Sequence, residues 1–204
     1  MLKLKYLVFL NFIVLLLLIF QKSSYAANDR TEDLANSYAD LVSHYYKEVF
    51  IKTNDMVESI NAFIESPNQN SLNTAKNKWI EARAIYGITE AFRFYGGPID
   101  GVNKYGEEGP EGMVNAWPLN EAYIDYVEGN PKAGIINNLA YKITSESIIS
   151  ANMSEDDADV STGWHAIEFL LWGQDSSLET AGIRPAKDYE PINNINNRRR
   201  AYLS

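Results

Sequence analysis

Residues 163–173 read GWHAIEFLLWG, a mostly apolar helical run that carries only two polar side chains. His165 and Glu168 stand three positions apart, so on an α-helix they share one face at about 5–6 Å. Such a pair costs several kcal/mol in an apolar environment unless it has partners. Helical bundles build metal sites from a carboxylate and a histidine at this spacing. The stretch predicts a buried helix with a candidate metal site, and a satisfied core pair is the alternative.

The flanking sequence has the same helical period of apolar residues, near 3.6. The turn Ser66-Pro67-Asn68 separates two long amphipathic segments, and Ser71 is a candidate cap for the second of them. The segment Gly96-Gly97-Pro98 ends that second helix. No alternating strand pattern is present, so the sequence predicts an all-α fold, a helical bundle of long antiparallel helices. The predicted helices span residues 31–65, 71–95, 119–127 and 131–150 and the stretch around His165.

The N-terminus predicts export. Lys3 and Lys5 precede an apolar run over residues 6–20, which Ser24-Tyr25-Ala26 follows. This is the pattern of a signal peptide spanning residues 1–26, with cleavage after Ala26. An uncleaved anchor is the alternative, although the run is short of the roughly 20 residues that a membrane span needs. We expect one mature domain, residues 27–204, without a transmembrane anchor, in the periplasm or cell envelope.

Composition excludes several classes of function. The formal net charge is −9, which argues against nucleic acid as a partner. The chain has no cysteine, so a metal site must use nitrogen and oxygen ligands. His44 and His165 are the only histidines. A three-histidine zinc site is therefore impossible, and the His-Glu-x-x-His motif of zinc proteases is absent.

The second helix places charged residues on the face that carries its aromatic residues. Arg83, Glu90 and Arg93 follow one another at helical spacing on this face. A buried ion pair between Arg83 and Glu90 is one interpretation. In the other, Glu90 is a third ligand or a proton acceptor near His165, and an arginine orients a carboxylate or another anion.

Other carboxylates could complete an oxygen-rich site. Glu121 and Asp125 stand four residues apart, and the alternative is that both face solvent. Asp100 and Asp175 lie beside glycines, where aspartate is more often a turn former than a ligand.

Taken together, these motifs resemble the imelysin-like proteins, peptidase family M75, over nearly the whole mature chain. The stretch 161–175 contains the Gly-x-His-x-x-Glu motif of that family. The other matching segments are Trp79, Ala82-Arg83, Tyr86, residues 90–94, 97–100, 115–119 and 123–126, Arg184-Pro185, Asp188-Tyr189 and residues 198–202.

The resemblance implies an all-helical fold of two bundle-like halves, with the site around His165 and Glu168 near the place where the halves meet. Family members continue past residues 198–203 for about as many residues again. By this comparison we expect the chain to correspond to the first half only, as an imelysin-like domain truncated at its C-terminus.

The resemblance also implies a function, a metal-binding component of bacterial iron uptake with iron-uptake proteins of the envelope as partners. A metallopeptidase of the M75 type is the alternative, so enzyme activity stays open. A structural or partner-binding envelope protein without metal is a third possibility.

The predicted ligands are His165 and Glu168 with one further carboxylate, Glu90 first and Glu121 second. The supporting residues are Arg83, Arg93, Trp172 and Asp175. We expect a divalent or ferric cation, such as iron or zinc, because imidazole and carboxylate ligands do not select one of these metals. Free iron, chelated iron and haem are all compatible, haem least because no attachment motif occurs.

Overall fold

A computed structural model describes the backbone of residues 2–93 and 95–204 and the side chains of residues 30–93 and 95–204. The described chain is all-α, as the sequence predicts, and no strand occurs in these ranges. The α-helices are α1 Leu2–Glu65, α2 Gln69–Thr89, α3 Glu111–Val114, α4 Glu121–Ile124, α5 Gly134–Asn137, α6 Ser145–Ala151, α7 Gly163–Trp172 and α8 Asn194–Leu203. Two 3₁₀ helices span Glu90–Phe92 and Ala186–Tyr189.

The chain divides into two compact units, residues 1–44 and residues 45–204. In the first unit, the described side chains belong to the helical residues 30–44. The predicted signal peptide, residues 1–26, lies outside the residues whose side chains are described. Within the ranges with described side chains, no helix has both the length and the apolar character needed to cross a membrane. The second unit contains the part of α1 from residue 45 onward and all later elements.

In the second unit, α1 and α2 form an antiparallel hairpin. The amine of Lys52 lies 3.4 Å from the carboxylate of Glu81, on either side of the predicted turn at residues 66–68. Asn68, rather than Ser71, caps α2, because its side chain accepts the backbone N–H of Ser71 at 3.0 Å. The Ser71 hydroxyl accepts the Asn68 N–H in return, which completes a capping box.

The hairpin buries the predicted apolar stripe of α2. The buried apolar residues among the described side chains of the two helices are Met56, Ile60, Phe63, Leu72, Ala75, Trp79, Ala82 and Tyr86. The Trp79 indole also donates to the carbonyl of Trp164 at 3.1 Å, and thereby ties α2 to α7. This bond fixes the helix that carries the candidate site against the hairpin.

Helix α7 is the central element of the unit. Its buried residues are Trp164, Ala166, Phe169, Leu170 and Leu171. At its start, Gly163 has φ +83°, and a Cβ there would stand 2.3 Å from the carbonyl oxygen of Val114. Only glycine allows this close approach to α3. The Gly-x-His-x-x-Glu motif therefore begins with a residue that packing requires.

The region between residues 119 and 151 has shorter helices than the sequence predicts. The expected helix 119–127 is only α4, because Asp125 has an extended backbone with φ −148° and ψ −179°. The expected helix 131–150 is divided into α5 and α6. Thr144 begins α6 with a capping box to Ser147, which makes a new helix start inside the predicted one.

Candidate functional site

Helix α7 brings His165 and Glu168 together. The ring nitrogen Nδ1 of His165 lies 3.1 Å from Oε2 of Glu168. The His165 side chain is 18% exposed and that of Glu168 is 43% exposed. The pair therefore sits at the edge of the core with access to solvent, rather than inside a sealed apolar environment.

The pair lines a cavity of about 250 Å³. Glu121, at the start of α4, and Asp175, in the loop after α7, line the same cavity. The remaining lining residues are Trp117, Leu119, Phe169, Trp172, Gly173, Ala181 and Gly182. Tertiary structure thus brings four of the predicted site residues, His165, Glu168, Glu121 and Asp175, to one cavity, with Trp172 in its wall. Among the described residues that line it, none is lysine or arginine.

Trp117 is a site residue for which the sequence analysis assigned no role. Its ring centroid lies 4.7 Å from that of His165, with the two planes inclined at 57°. It is nevertheless 68% exposed. Its place inside a matching segment, residues 115–119, was the available signal, but sequence spacing cannot indicate a contact across 48 residues.

The surroundings of Glu121 disfavour its ionised form. Burial raises its pKa, and the negative charge of Asp175 acts in the same direction. A hydrogen bond with the Gln174 side chain and the charge of Arg184 oppose this effect without cancelling it. A cation in the cavity would favour the ionised form of Glu121.

The structure does not bring Glu90 to this cavity. Glu90 lines a second cavity of about 510 Å³ together with Arg93, Gly96, Asp100, Glu111 and Asn115. Its carboxylate lies 3.5 Å from Arg93 and 3.9 Å from Arg83. The ion pair between Arg83 and Glu90 exists, but it is partly exposed, with side-chain exposures of 24% and 43%.

Arg93 is a buried, positively charged residue in the lining of the second cavity. Its guanidinium donates to Glu111 and, at 3.0 Å, to the hydroxyl of Tyr86. It also lies 3.4 Å from Asp100. The arginines expected to support the His165 site thus pair with the carboxylates of a different cavity.

Asp125 neither faces solvent nor joins Glu121, which are the two alternatives that the sequence left open. Its side chain is fully buried. Oδ2 accepts Arg184 Nη1 and Arg199 Nε, each at 2.6 Å, and Oδ1 accepts Arg199 Nη2 at 3.0 Å. Asn137 donates to Oδ1 at 3.1 Å. We refer to Asp125, Arg184 and Arg199 as the Asp125 cluster.

The carboxylate of this cluster is fully paired, whereas Nε and Nη2 of Arg184 are buried without a hydrogen-bond partner in the described chain. Burial alone would raise the pKa of Asp125, but the hydrogen bond from Arg199 and the charges of Arg184 and Arg199 hold it below its usual value. The Arg184 guanidinium also lies 4.9 Å from the ring centroid of Tyr126 and 5.2 Å from that of Phe169. The cluster links α4, the segment before the second 3₁₀ helix, and α8.

The donor types of the His165 cavity suit a transition-metal cation, since one imidazole and three carboxylates line it. Across the described residues, no three histidine, aspartate or glutamate side chains stand close enough together to hold one metal ion. Water must therefore supply much of the coordination of any cation bound there.

Comparison with known proteins identifies the family. The family model for peptidase M75, described as imelysin, matches residues 42–204, which include both cavities and the Asp125 cluster. No curated protein matches the chain. The match covers well over half of the sequence, and the chain belongs to the imelysin family, peptidase M75.

Proposed function

We propose that this imelysin-family protein binds a divalent or ferric metal cation in the His165 cavity, as a component of iron uptake in the bacterial envelope. One observation carries the proposal: an imidazole and three carboxylates line a cavity to which the described residues contribute no lysine or arginine. Negative charges gathered in such a lining attract a cation, whose binding removes their mutual repulsion, and the only basic charge found to act on Glu121, that of Arg184, lies outside the described lining.

The second cavity supports this choice by contrast. Its carboxylates Glu90 and Glu111 already have a buried cationic partner in Arg93, so a metal ion would compete with a resident positive charge. The carboxylates of the His165 cavity have no such partner among its lining residues. The candidate ligands are therefore His165 and the carboxylates of its own cavity, Glu168, Glu121 and Asp175, of which no three stand close enough together in the described chain to hold one ion. Glu90 is no longer among the candidates.

The size of the cavity fits a cation that keeps part of its water. A water molecule occupies about 30 Å³ in the liquid, so about 250 Å³ has room for an ion with several waters. A bound cation would supply a positive charge that polarises the oxygen atoms around it. The residues of this chain would supply one imidazole nitrogen, carboxylate oxygens and the aromatic wall.

Metal titration of the purified protein tests the proposal. We expect Zn²⁺, Fe²⁺ or Mn²⁺ to bind the parent, and His165→Ala to weaken binding by about tenfold or more, since loss of even an outer-shell group costs that much. His44→Ala is the matched control, because it removes the other histidine and should leave the affinity unchanged. Equal affinity of His165→Ala and the parent would exclude the site.

Export is the second part of the proposal, and the signal peptide pattern of residues 1–26 supports it. Mass spectrometry of the protein from the envelope or periplasmic fraction should find Ala27 as the first residue. Retention of Met1 on protein from that fraction would contradict cleavage after Ala26. Association with iron-uptake proteins would then be tested by co-purification from iron-starved cells.

A metallopeptidase is the second candidate, favoured by membership of peptidase family M75 and by the solvent access of Glu168 beside His165. An acidic side chain beside a metal-binding histidine could act as a general base toward water. Cleavage of an unstructured protein, abolished both by a chelator and by Glu168→Gln, would support this activity. A parent that binds no metal ion and cleaves nothing would favour the third possibility, a structural or partner-binding protein.

A further inference from the structure

The contact between His165 and Glu168 assigns different roles to the two residues. We propose that Glu168 is a positioning residue, which fixes the tautomer of His165 and directs its Nε2 toward the cavity, and that it is not itself a metal ligand. This inference rests on the proposed function for the identity of the ligand. Its main structural claim can be tested without any metal.

The proton on the imidazole follows from the chemistry of the partner. A carboxylate at neutral pH only accepts hydrogen bonds, so a neutral imidazole must donate to it. Nδ1 of His165 lies 3.1 Å from Oε2 of Glu168, so Nδ1 carries the proton. Nε2 then has the free lone pair, which is the form of the ring that binds a metal ion.

The position of Nε2 agrees with this assignment. Nδ1 is the only ring nitrogen of His165 that forms a hydrogen bond with the described part of the chain. Nε2 is at the far end of the ring, and the residue lines the cavity. The nitrogen without a hydrogen-bond partner in the described part of the chain is therefore the one that remains available to a ligand.

Trp117 restrains the ring from a second side. Its ring packs 4.7 Å from that of His165 between centroids, although 68% of the Trp117 surface is exposed. A flip of the imidazole would break the hydrogen bond to Glu168, and a change of the side-chain rotamer would also remove the contact with Trp117. Donation of the second ring nitrogen to a carboxylate or carbonyl group is typical of metal-binding histidines.

The opposing arrangement has Nδ1 and Glu168 bind one cation together. The proton must then leave Nδ1, and the contact between the two side chains must be replaced by two separate bonds to the cation. The two arrangements differ in what they require of the side chain at position 168. A positioning residue needs only an acceptor atom, whereas a ligand of this kind needs the negative charge as well.

The first test is the tautomer of His165 in the purified, metal-free protein, read from ¹⁵N chemical shifts of the ring at about pH 8, where imidazole is neutral. His44→Ala identifies which signals belong to His165. We expect the proton on Nδ1 in the parent and in Glu168→Gln, and a shift toward Nε2 in Glu168→Ala. A proton on Nε2 in the parent would overturn the proposal.

The second test is the affinity for Zn²⁺, which has no redox chemistry of its own. We expect Glu168→Gln to stay within about tenfold of the parent, because the amide oxygen still accepts from Nδ1, and Glu168→Ala to lose about 10–100-fold. A loss in Glu168→Gln as large as that in Glu168→Ala would overturn the proposal. If the parent binds no metal ion, the proposed function fails, while the tautomer measurement still decides the role of Glu168.

Discussion

The His165 cavity and the Asp125 cluster both contain carboxylates, but they differ in whether those carboxylates have basic partners. The Asp125 carboxylate is fully buried, and three side chains donate to it. The Glu168 carboxylate is 43% exposed, and its cavity contains no lysine or arginine among the described lining residues. In the first arrangement each carboxylate oxygen of Asp125 already accepts two hydrogen bonds, and the cluster stabilises the fold. The second has unused ligand atoms and is suited to binding.

The largest expected loss of stability is that of Asp125→Asn. The change removes the nearest counter-charge of the buried Arg184 and Arg199 and leaves only the Asp188 carboxylate, 3.8 Å from Arg184. Breaking such a pair costs about 3–5 kcal/mol in the free energy of unfolding. Urea denaturation at neutral pH measures the loss. Asp157→Asn is the matched control at an exposed position and should stay within about 0.5 kcal/mol of the parent. Equal stability of the two variants would show that the cluster does not stabilise the fold.

The stability difference between the parent and Asp125→Asn should depend on pH. The pKa of Asp125 is lowered in the folded protein, so its contribution is complete above its ordinary value of 3.8 and is lost as pH falls below that value. The stability difference between parent and Asp125→Asn should therefore be constant near neutral pH and shrink in acid. A difference that grows as the pH falls would contradict the assigned direction.

Arg199→Lys tests whether the geometry of the cluster matters as well as its charge. Arg199 donates to both carboxylate oxygens of Asp125 and to the Asp188 carbonyl, and a lysine cannot reproduce this fork. We expect a loss of about 1–3 kcal/mol. Arg200→Lys is the control, because Arg200 donates to the Ile64 carbonyl and, at 3.5 Å, to the exposed Asn197 side chain, but to no carboxylate; it should cost less than about 1 kcal/mol.

His165→Ala should have the reverse character, with a large effect on metal binding and a small one on stability. Its pair with Glu168 is partly exposed, and such pairs contribute at most about 1 kcal/mol. Phe169→Ala, at a buried position on the same helix, should cost about 3–5 kcal/mol in the same thermal or urea unfolding assay. A loss of that size in His165→Ala would place His165 in the core instead.

The smallest expected effect is that of Glu121→Gln. Burial raises the pKa of Glu121, so the folded state disfavours its charge, and stability falls as pH rises above the ordinary value of 4.5. The neutral variant should be slightly more stable than the parent at pH 7, by less than about 1 kcal/mol. Glu146→Gln should change stability in the opposite direction, because a backbone hydrogen bond lowers the pKa of that exposed residue.

The elements that the sequence determined are those whose pattern is local. The helical period around His165 predicted α7. The spacing of His165 and Glu168 predicted their shared face, because residues three positions apart on an α-helix lie on the same side. The buried stripe of α2 followed from the same period. Where local hydrogen bonds and glycines divide a region, as between residues 119 and 151, pattern alone predicted helices that are too long.

Tertiary structure alone decided which carboxylate from another element lies in the cavity of His165. The sequence favoured Glu90 over Glu121, but the 3₁₀ helix holds Glu90 beside Arg93, and α4 brings Glu121 to the cavity. Glu121 and Asp125 should share a face at their spacing, yet α4 ends at Ile124 and the extended backbone of Asp125 turns its carboxylate to Arg184 and Arg199. Helical spacing relates only residues within one continuous helix. Contacts across 59 and 74 residues depend on how the helices pack, and no local pattern records that packing.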